Sequence, residues 1–219
     1  MLAGVDGCPA GWLAAFESGQ PQVFSSFAEV LRACPGLIVI DIPIGLMDSA
    51  PRRVDAAARA FLGRRACCVF SAPFRPMLRA RTYERACAIG QRIDGKKCSR
   101  QAFGIFPKVR EVDLCMTRAL QRRIFEGHPE MSFALMGSGA PIASRKKSAA
   151  GRAARLAALR PHFPSIDSLT VPRGAAWDDV LDACALLWTA RRVASGDALR
   201  LPEGPAQRDD RGLRAEIVT

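Results

Sequence analysis

The stretch "GVDGCPAGW", residues 4–12, places a carboxylate, Asp6, at the end of a short apolar run. The glycines on both sides of it, Gly4 and Gly7, would let a ligand such as a metal ion or the backbone of a substrate approach closely. A second apolar run, Leu37–Ile40, has the continuous β-branched pattern of a strand buried on both faces, and it also ends at an aspartate, Asp41. Because ligands of open α/β sheets bind at the carboxyl ends of the strands, the two runs predict an acidic site at one sheet edge.

The order of the predicted elements indicates an α/β fold. The predicted strands are Leu2–Val5, Leu13–Phe16, Gln22–Phe24, Leu37–Ile40 and Arg123–His128, with a further short strand at Cys67–Phe70. The predicted helices are Phe27–Cys34, Val54–Leu62, Thr82–Gly90, Val112–Leu120, Ser148–Leu159 and Asp178–Ala194. This order predicts a ribonuclease H-like mixed sheet, with three antiparallel strands and then parallel strands, helices on both faces and a helical basic insertion.

Length and composition are those of an ordinary globular chain, with 219 residues, 49% hydrophobic and 24% charged. We expect a single domain over residues 1–200, with the insertion at about 51–123, and a loosely ordered polar tail over 201–219. No apolar run reaches the length of a membrane span, and the N-terminus lacks the pattern of a signal peptide. We therefore expect a cytoplasmic protein with no membrane partner.

The positive charge is concentrated in the insertion. The formal net charge of the chain is +11. Between residues 51 and 123 there are eighteen Lys and Arg residues against five Asp and Glu, whereas the remainder has fourteen against sixteen. A basic block beside a slightly acidic remainder suits a protein that binds a polyanion such as nucleic acid. A solvated basic face without a ligand is the alternative.

Further acids follow the pattern that a metal site needs. Asp179 and Asp182 lie three residues apart on the last predicted helix and therefore share a face, while Glu126, His128 and Glu130 alternate on or just beyond a strand. Clustered carboxylates repel each other, and Mg²⁺ or Mn²⁺ would relieve that repulsion. We predict two-metal hydrolysis of a phosphodiester bond. The predicted metal ligands are Asp6, Asp41, Asp179 and Asp182, with Glu126 and Glu130 as further catalytic candidates.

Each of these residues also has a structural explanation. Asp6 and Asp41 could stabilise turns, because aspartate side chains often hydrogen-bond the backbone next to glycine or proline. Asp178 or Asp179 could cap the start of the last helix. A single histidine such as His128 is more often structural than catalytic. Taken together, the acids favour a metal site, because Asp6 and Asp41 each lie at the end of a predicted strand. Asp179 and Asp182 share one face of the last predicted helix.

Six motifs, in order along the chain, resemble those of the domain of unknown function 429 family. They are "GVDGCPAGW", "VIDIPIGL", "RRVDAAARAFLGRRACCVFSAP", "SRQAFGIFPKVREVD", "EGHPEMSFALMG" and "DDVLDACALLWTARR". The resemblance spans Gly4 to about Arg192, and it implies a ribonuclease H-like fold and a nuclease. The last motif is also similar to the final helix of Holliday-junction resolvases, which implies that Asp179 and Asp182 complete a metal site with the two strand-end acids.

Basic residues inside these motifs are candidates for contact with substrate phosphates. The two first choices are Lys108 and Lys146, followed by Arg53 and Arg65. The predicted function is a nuclease or phosphodiesterase that depends on a divalent metal and acts on DNA or RNA. Two alternatives stay open: a nucleotide-binding phosphotransferase of the actin and sugar-kinase class, which shares the core and the strand-end Asp-Gly, and a non-catalytic protein that binds structured nucleic acid.

Overall fold

The computed structural model describes residues 1–137 and 139–219. The strands are β1 (Leu2–Cys8), β2 (Gly11–Phe16), β3 (Gln22–Phe24), β4 (Leu37–Ile40), β5 (Ile124–Gly127), β6 (Arg200–Leu201), β7 (Gln207–Arg208), β8 (Arg214–Ala215) and β9 (Ile217–Val218). The α-helices are α1 (Phe27–Ala33), α2 (Arg53–Leu62), α3 (Tyr83–Asp94), α4 (Arg100–Gly104), α5 (Phe106–Cys115), α6 (Pro129–Met136), α7 (Ala149–Leu159) and α8 (Trp177–Ser195). Short 3-10 helices cover Gly63–Cys68, Arg75–Arg79, Leu120–Arg122 and Ile166–Ser168.

A central mixed sheet has the strand order β3-β2-β1-β4-β5-β9-β6, which confirms the predicted α/β class. The strands β1, β2 and β3 are antiparallel, and β4, β5 and β9 continue the sheet in parallel with β1. This arrangement is consistent with a ribonuclease H-like sheet. The register pairs Val5 with Ile40, and the Asp41 amide donates a hydrogen bond of 3.0 Å to the Val5 carbonyl. Asp6, the next residue of β1, and Asp41, which directly follows β4, therefore lie side by side.

Helices cover both faces of the sheet, because the side chains of its strands alternate between two apolar layers. Along β2, Trp12 packs in the layer formed by α1 and α5, whereas the next residue, Leu13, packs in the layer formed by α6, α7 and α8. The strand β4 is buried throughout its last three residues. Its continuous apolar run is the pattern of a strand covered on both sides.

The helix α8 packs directly against the backbone of β1 at Gly4. A Cβ atom at this position would lie 2.1 Å from both the Ala183 carbonyl oxygen and the Leu187 amide nitrogen. No side chain can be placed there, since real Cβ contacts are essentially never below 3.0 Å. Gly4 thus permits a backbone-to-backbone approach, and it fixes the distance between α8 and the sheet edge.

Three predictions about individual elements were wrong. The segment 201–219 is not a loose tail, because β9 lies between β5 and β6 in the sheet and Val218 and Thr219 are fully buried. The strand is only two residues long and follows charged residues, so its pattern is weak. Residues 63–68 form a 3-10 helix where the sequence predicted a strand from Cys67. The helix predicted over 112–120 is α5, which begins earlier at Phe106 and has a proline in its first turn.

In the described part of the chain, no helix combines the length and the apolar character needed to cross a bilayer. The basic insertion between β4 and β5 contains α2, α3, α4 and α5. Several of its apolar side chains, among them Val54, Phe106 and Val109, are completely or almost completely buried against the rest of the protein. The insertion is therefore packed onto the sheet as part of the core.

Replacing Gly4 by alanine should destabilise the protein strongly. The added methyl group meets backbone atoms of α8, which cannot rotate away, so the helix must move from the sheet. We expect Gly4→Ala to lower the free energy of unfolding by about 3 kcal/mol, at the upper end for overpacked cores. Urea unfolding followed by circular dichroism measures the change.

The matched control is Gly104→Ala in α4, where an added Cβ meets no atom within 4 Å. Its free energy of unfolding should change by less than about 1 kcal/mol, the scale of helix propensity. Equal effects of the two substitutions would contradict the account of Gly4.

Candidate active site

A cavity of about 450 Å³ opens at the carboxyl ends of β1, β4 and β5, and we call it the acid cavity. Six carboxylates and several basic side chains line it. The carboxylates belong to Asp6, Asp41, Asp55, Glu126, Glu130 and Asp182, and the basic side chains to Arg65, Lys108, His128 and Lys146. Of the acids named from the sequence, the structure brings all but Asp179 to this cavity.

Asp6, Asp41 and Asp182 form the core of the acid cavity. Asp6 and Asp182 are 8% and 4% exposed. Burial raises the pKa of Asp6 well above its usual value, and the negative charges of Asp182 and Asp41 raise it further. Burial also raises the pKa of Asp182, to about 7, and the pKa of Asp41. Desolvated carboxylates that repel each other favour binding of either a proton or a cation.

Lys146 supplies a cation to this core. Its ammonium group forms an ion pair with Asp182 and lies 3.9 Å from Asp178. Burial lowers the pKa of Lys146, but the charges of Asp182 and Asp6 outweigh this effect and raise the pKa above its usual value. The lysine is therefore charged, and its charge lowers the pKa values of the three core aspartates. Lys146, predicted from the sequence as a substrate-binding residue, is therefore paired with an acid of the cavity in this structure.

Asp179 has a different contact from the one predicted. Its carboxylate accepts a hydrogen bond of 2.8 Å from the Ala176 amide and so stabilises the first turn of α8. Asp179 and Asp182 share a helix face, as predicted, but Asp179 lies in the first turn, where unpaired amides compete for an aspartate. Only Asp182 lines the cavity.

Glu126 and Glu130 are each paired with a buried arginine. The Glu126 carboxylate accepts hydrogen bonds from Arg52 at 2.5 Å and from the Ile44 amide at 2.7 Å. Burial raises the pKa of Glu126 to about 7, and Arg52 opposes this effect. Glu130 forms an ion pair with the fully buried Arg155. These pairs fix the loop after β4 and the start of α6 around the cavity.

Two carboxylate oxygens in the acid cavity have no hydrogen-bond partner among the described residues. They are Oδ1 of Asp182 and Oε2 of Glu130, and both are inaccessible to solvent. Buried polar atoms are nearly always satisfied in native proteins, so each such atom requires an explanation. A bound ion, water or ligand group in the cavity would supply the missing contacts.

The remaining basic candidates occupy different places. Lys108 lines the cavity, but its ammonium group donates to the Gly11 carbonyl and lies 4.6 Å from the centre of the Trp12 ring. Arg65 also lines the cavity, 4.0 Å from Glu130. Arg53 lies outside it and contacts the chain near residues 205–207 instead.

Sequence reasoning missed the two arginines that hold the glutamates, Arg52 and Arg155. Each lies in an arginine-rich stretch, next to exposed arginines of the same type. Periodicity places Arg155 on α7 but does not show that its guanidinium points into the protein. The signal that distinguishes them is a buried acid partner distant in sequence, which only the fold provides.

The chemistry of the acid cavity fits a hard divalent cation, which binds carboxylate oxygens. The arrangement shown holds the lysine ammonium there instead. Within residues 1–137 and 139–219, no group of three or more His, Cys, Asp or Glu side chains is placed closely enough to hold a metal ion. Metal binding by Asp6, Asp41 and Asp182 would therefore require Lys146 to leave its partner and the carboxylates to draw together.

Removing Lys146 should make the stability of the protein more dependent on pH. The pKa of Asp182 is raised in the folded state, so its ionisation destabilises the fold, and Lys146 limits this cost. At about pH 5 Asp182 is protonated and the ion pair contributes little. At about pH 8 it is ionised, and Lys146→Met should lower the free energy of unfolding by about 1–2 kcal/mol.

This expected loss is below that of a fully buried pair because the Lys146 side chain is 33% exposed. Chemical denaturation at both pH values measures the difference, with Lys147→Met as the matched control. A Lys146→Met penalty that is equal at both pH values, or larger at low pH, would show that the lysine does not compensate Asp182.

Comparison with known proteins identifies a family without an assigned chemistry. A family model described as "Protein of unknown function (DUF429)" matches residues 4–207. The match includes all three core aspartates and the loop that carries Lys146. No curated protein and no solved structure matches the chain. What the cavity does must therefore be inferred from its own residues.

Proposed function

The chain belongs to the DUF429 family, and we propose that it is a divalent-metal-dependent nuclease that cleaves a phosphodiester bond of DNA or RNA in the acid cavity. One observation carries the proposal: Asp6 from β1, Asp41 after β4 and Asp182 from α8 converge in one cavity that basic side chains also line. Buried carboxylates whose negative charges are not balanced by nearby basic side chains favour binding of a metal ion. The basic side chains of the same cavity attract a phosphate.

Asp6, Asp41 and Asp182 are the residues that would hold the cation, either Mg²⁺ or Mn²⁺. When bound, such an ion polarises a phosphoryl oxygen and lowers the pKa of a bound water. The carboxylates contribute oxygen donors and negative charge in a site from which water is largely excluded. Asp6 is further held by the Gly7 amide, which donates a hydrogen bond of 2.7 Å to its carboxylate.

The basic side chains of the cavity would bind and orient the substrate. Arg65 and His128 line the cavity, and Lys146, once released from Asp182, would have its ammonium available for a phosphate oxygen. Most of the basic residues of the insertion are exposed, which suits contact with the backbone of a nucleic acid. The insertion's excess of thirteen positive charges, eighteen against five, supports a polyanionic substrate.

The proposal is tested by cleavage assays on labelled single-stranded, duplex, junction and hybrid substrates with Mg²⁺ or Mn²⁺. We expect Asp6→Asn, Asp41→Asn and Asp182→Asn to lower the cleavage rate by roughly 100-fold or more, the scale of losing one group that stabilises transition-state charge. Circular dichroism and thermal unfolding establish that each variant is folded.

Asp179→Asn is the matched control, because the side-chain carbonyl oxygen of asparagine can accept the same hydrogen bond from the Ala176 amide. It should keep nearly full activity, since the Asp179 carboxylate holds the Ala176 amide. Unchanged cleavage in all three core variants would contradict the proposal. Salt-sensitive binding without cleavage, under both metals, would indicate a non-catalytic nucleic-acid-binding protein instead.

Lys146 should compete with the metal for the same carboxylates. We expect Lys146→Met to bind Mn²⁺ about 10-fold more tightly than the wild type at about pH 8, because no ion pair of roughly 1.4 kcal/mol must be broken first. Isothermal titration calorimetry measures both affinities. Lys147→Met, at the neighbouring exposed lysine, should bind Mn²⁺ like the wild type. Equal or weaker binding by Lys146→Met would show that the ammonium does not occupy the position of the ion.

A further inference from the structure

A second cavity, of about 470 Å³, lies beside the acid cavity between α2 and the region of α3 and α4. We call it the basic cavity. It shares three wall residues with the acid cavity, namely Asp55, Val69 and Phe70. Its volume lies in the range of small-molecule sites. The two cavities are therefore neighbours separated by the segment that contains Phe70.

The two cavities have opposite balances of charge. Carboxylates outnumber basic side chains in the acid cavity, whereas four basic residues and two acids line the basic cavity. Of the basic residues, Arg52 is already paired with Glu126, and Lys96 lies 3.4 Å from Asp94. Lys97 is exposed and forms no ion pair with any described residue. A phosphate is consequently favoured in the basic cavity even without a metal ion.

Phe70 is an exposed aromatic residue between these cavities. It is 46% exposed, and it is the one aromatic among the large exposed hydrophobic residues of the described chain. The ring lines both cavities, so a planar ligand that enters either of them can contact its face.

Side chains of α2 hold the segment around Phe70 in place through hydrogen bonds. Arg59 of α2 donates hydrogen bonds to the Val69 carbonyl at 3.2 Å and to the Ser71 hydroxyl at 2.7 Å. The Ala72 amide donates to Asp55, also of α2, at 2.8 Å. Residues on both sides of Phe70 are thus held in place. This anchoring presents the ring at the surface without a loop that must be ordered on binding.

We propose that Phe70 is a stacking platform for an unpaired base of single-stranded nucleic acid. The strand crosses from the acid cavity to the basic cavity, with one base on the Phe70 ring and the adjoining phosphate beside Lys97. The inference rests on the proposed function, because the acid cavity takes the phosphodiester bond. A base can stack on a side chain only when it is not stacked within a duplex, so the subsite selects single strands.

The test is binding of a short fluorescein-labelled oligothymidylate, measured by fluorescence anisotropy in the Asp6→Asn background so that the strand stays intact. We expect Phe70→Ala to weaken binding by about 5- to 150-fold, the range for loss of one stacked base. Phe70→Trp should retain the affinity. Lys97→Ala should weaken binding and reduce the slope of affinity against salt by about 0.7, as expected for one phosphate contact.

Leu114→Ala is the matched control, since Leu114 is 75% exposed but lines neither cavity. It should leave the affinity unchanged. Thermal unfolding checks that Phe70→Ala is folded, as expected for an exposed side chain. An equal affinity of Phe70→Ala and its parent would overturn the inference.

Two further ligands show whether the site prefers a single strand to a free nucleotide or to a duplex. Thymidine monophosphate and a blunt duplex of the same sequence should each bind more weakly than the single strand. Equal or tighter binding of the monophosphate would overturn the inference in favour of a free nucleotide, and equal binding of the duplex would overturn the selection of unpaired bases. Because binding is measured without cleavage, loss of the proposed nuclease activity and loss of the stacking subsite are separate results.

Discussion

The contact between Gly4 of β1 and the backbone of α8 determines where the acids meet. Only glycine permits it, because any Cβ would lie 2.1 Å from the Ala183 carbonyl oxygen. Ala183 directly follows Asp182, so the contact that packs the helix against the strand also brings Asp182 close to Asp6, which lies two residues after Gly4 in β1. The neighbouring strand β4 adds Asp41 through the hydrogen bond from its amide to Val5. The three acids therefore meet in one cavity because α8 packs closely on Gly4 and because β1 and β4 pair in parallel.

Burial of these acids has an energetic cost that the protein offsets in two ways. Glu126 and Glu130 are each held by a dedicated buried arginine, Arg52 and Arg155, and such pairs are structural. Lys146 lowers the pKa of all three aspartates, and His128 also lowers that of Asp41. The one ammonium charge of Lys146 does not balance three ionised carboxylates. That deficit of positive charge distinguishes the three aspartates, which can accept a cation, from the two glutamates, whose charges are each paired with an arginine.

The sequence predicts the sheet better than the site. Continuous apolar runs that each end at an aspartate place β1, β4 and their carboxylates correctly, because strand pattern is local information. The two-residue strand β9 was not predicted, because two β-branched residues are too short a pattern to indicate a strand. Its pairing with β5 and β6, which are distant in sequence, places it in the sheet. The sequence pattern places Asp179 and Asp182 on one helix face and does not distinguish them. Asp179 accepts a hydrogen bond from the Ala176 amide only because the helix begins just after Ala176. The partner of Lys146 likewise depends on the path of a long loop.

The central claim is that Asp6, Asp41 and Asp182 hold a divalent cation in exchange for Lys146. Anomalous X-ray scattering from a crystal grown with Mn²⁺ tests this most directly, because it locates the ion and the lysine together. The account predicts an anomalous peak in contact with carboxylate oxygens of the three core aspartates, with the Lys146 ammonium moved away from Asp182. A crystal saturated with Mn²⁺ that shows no peak there, with Lys146 still paired to Asp182, would contradict it.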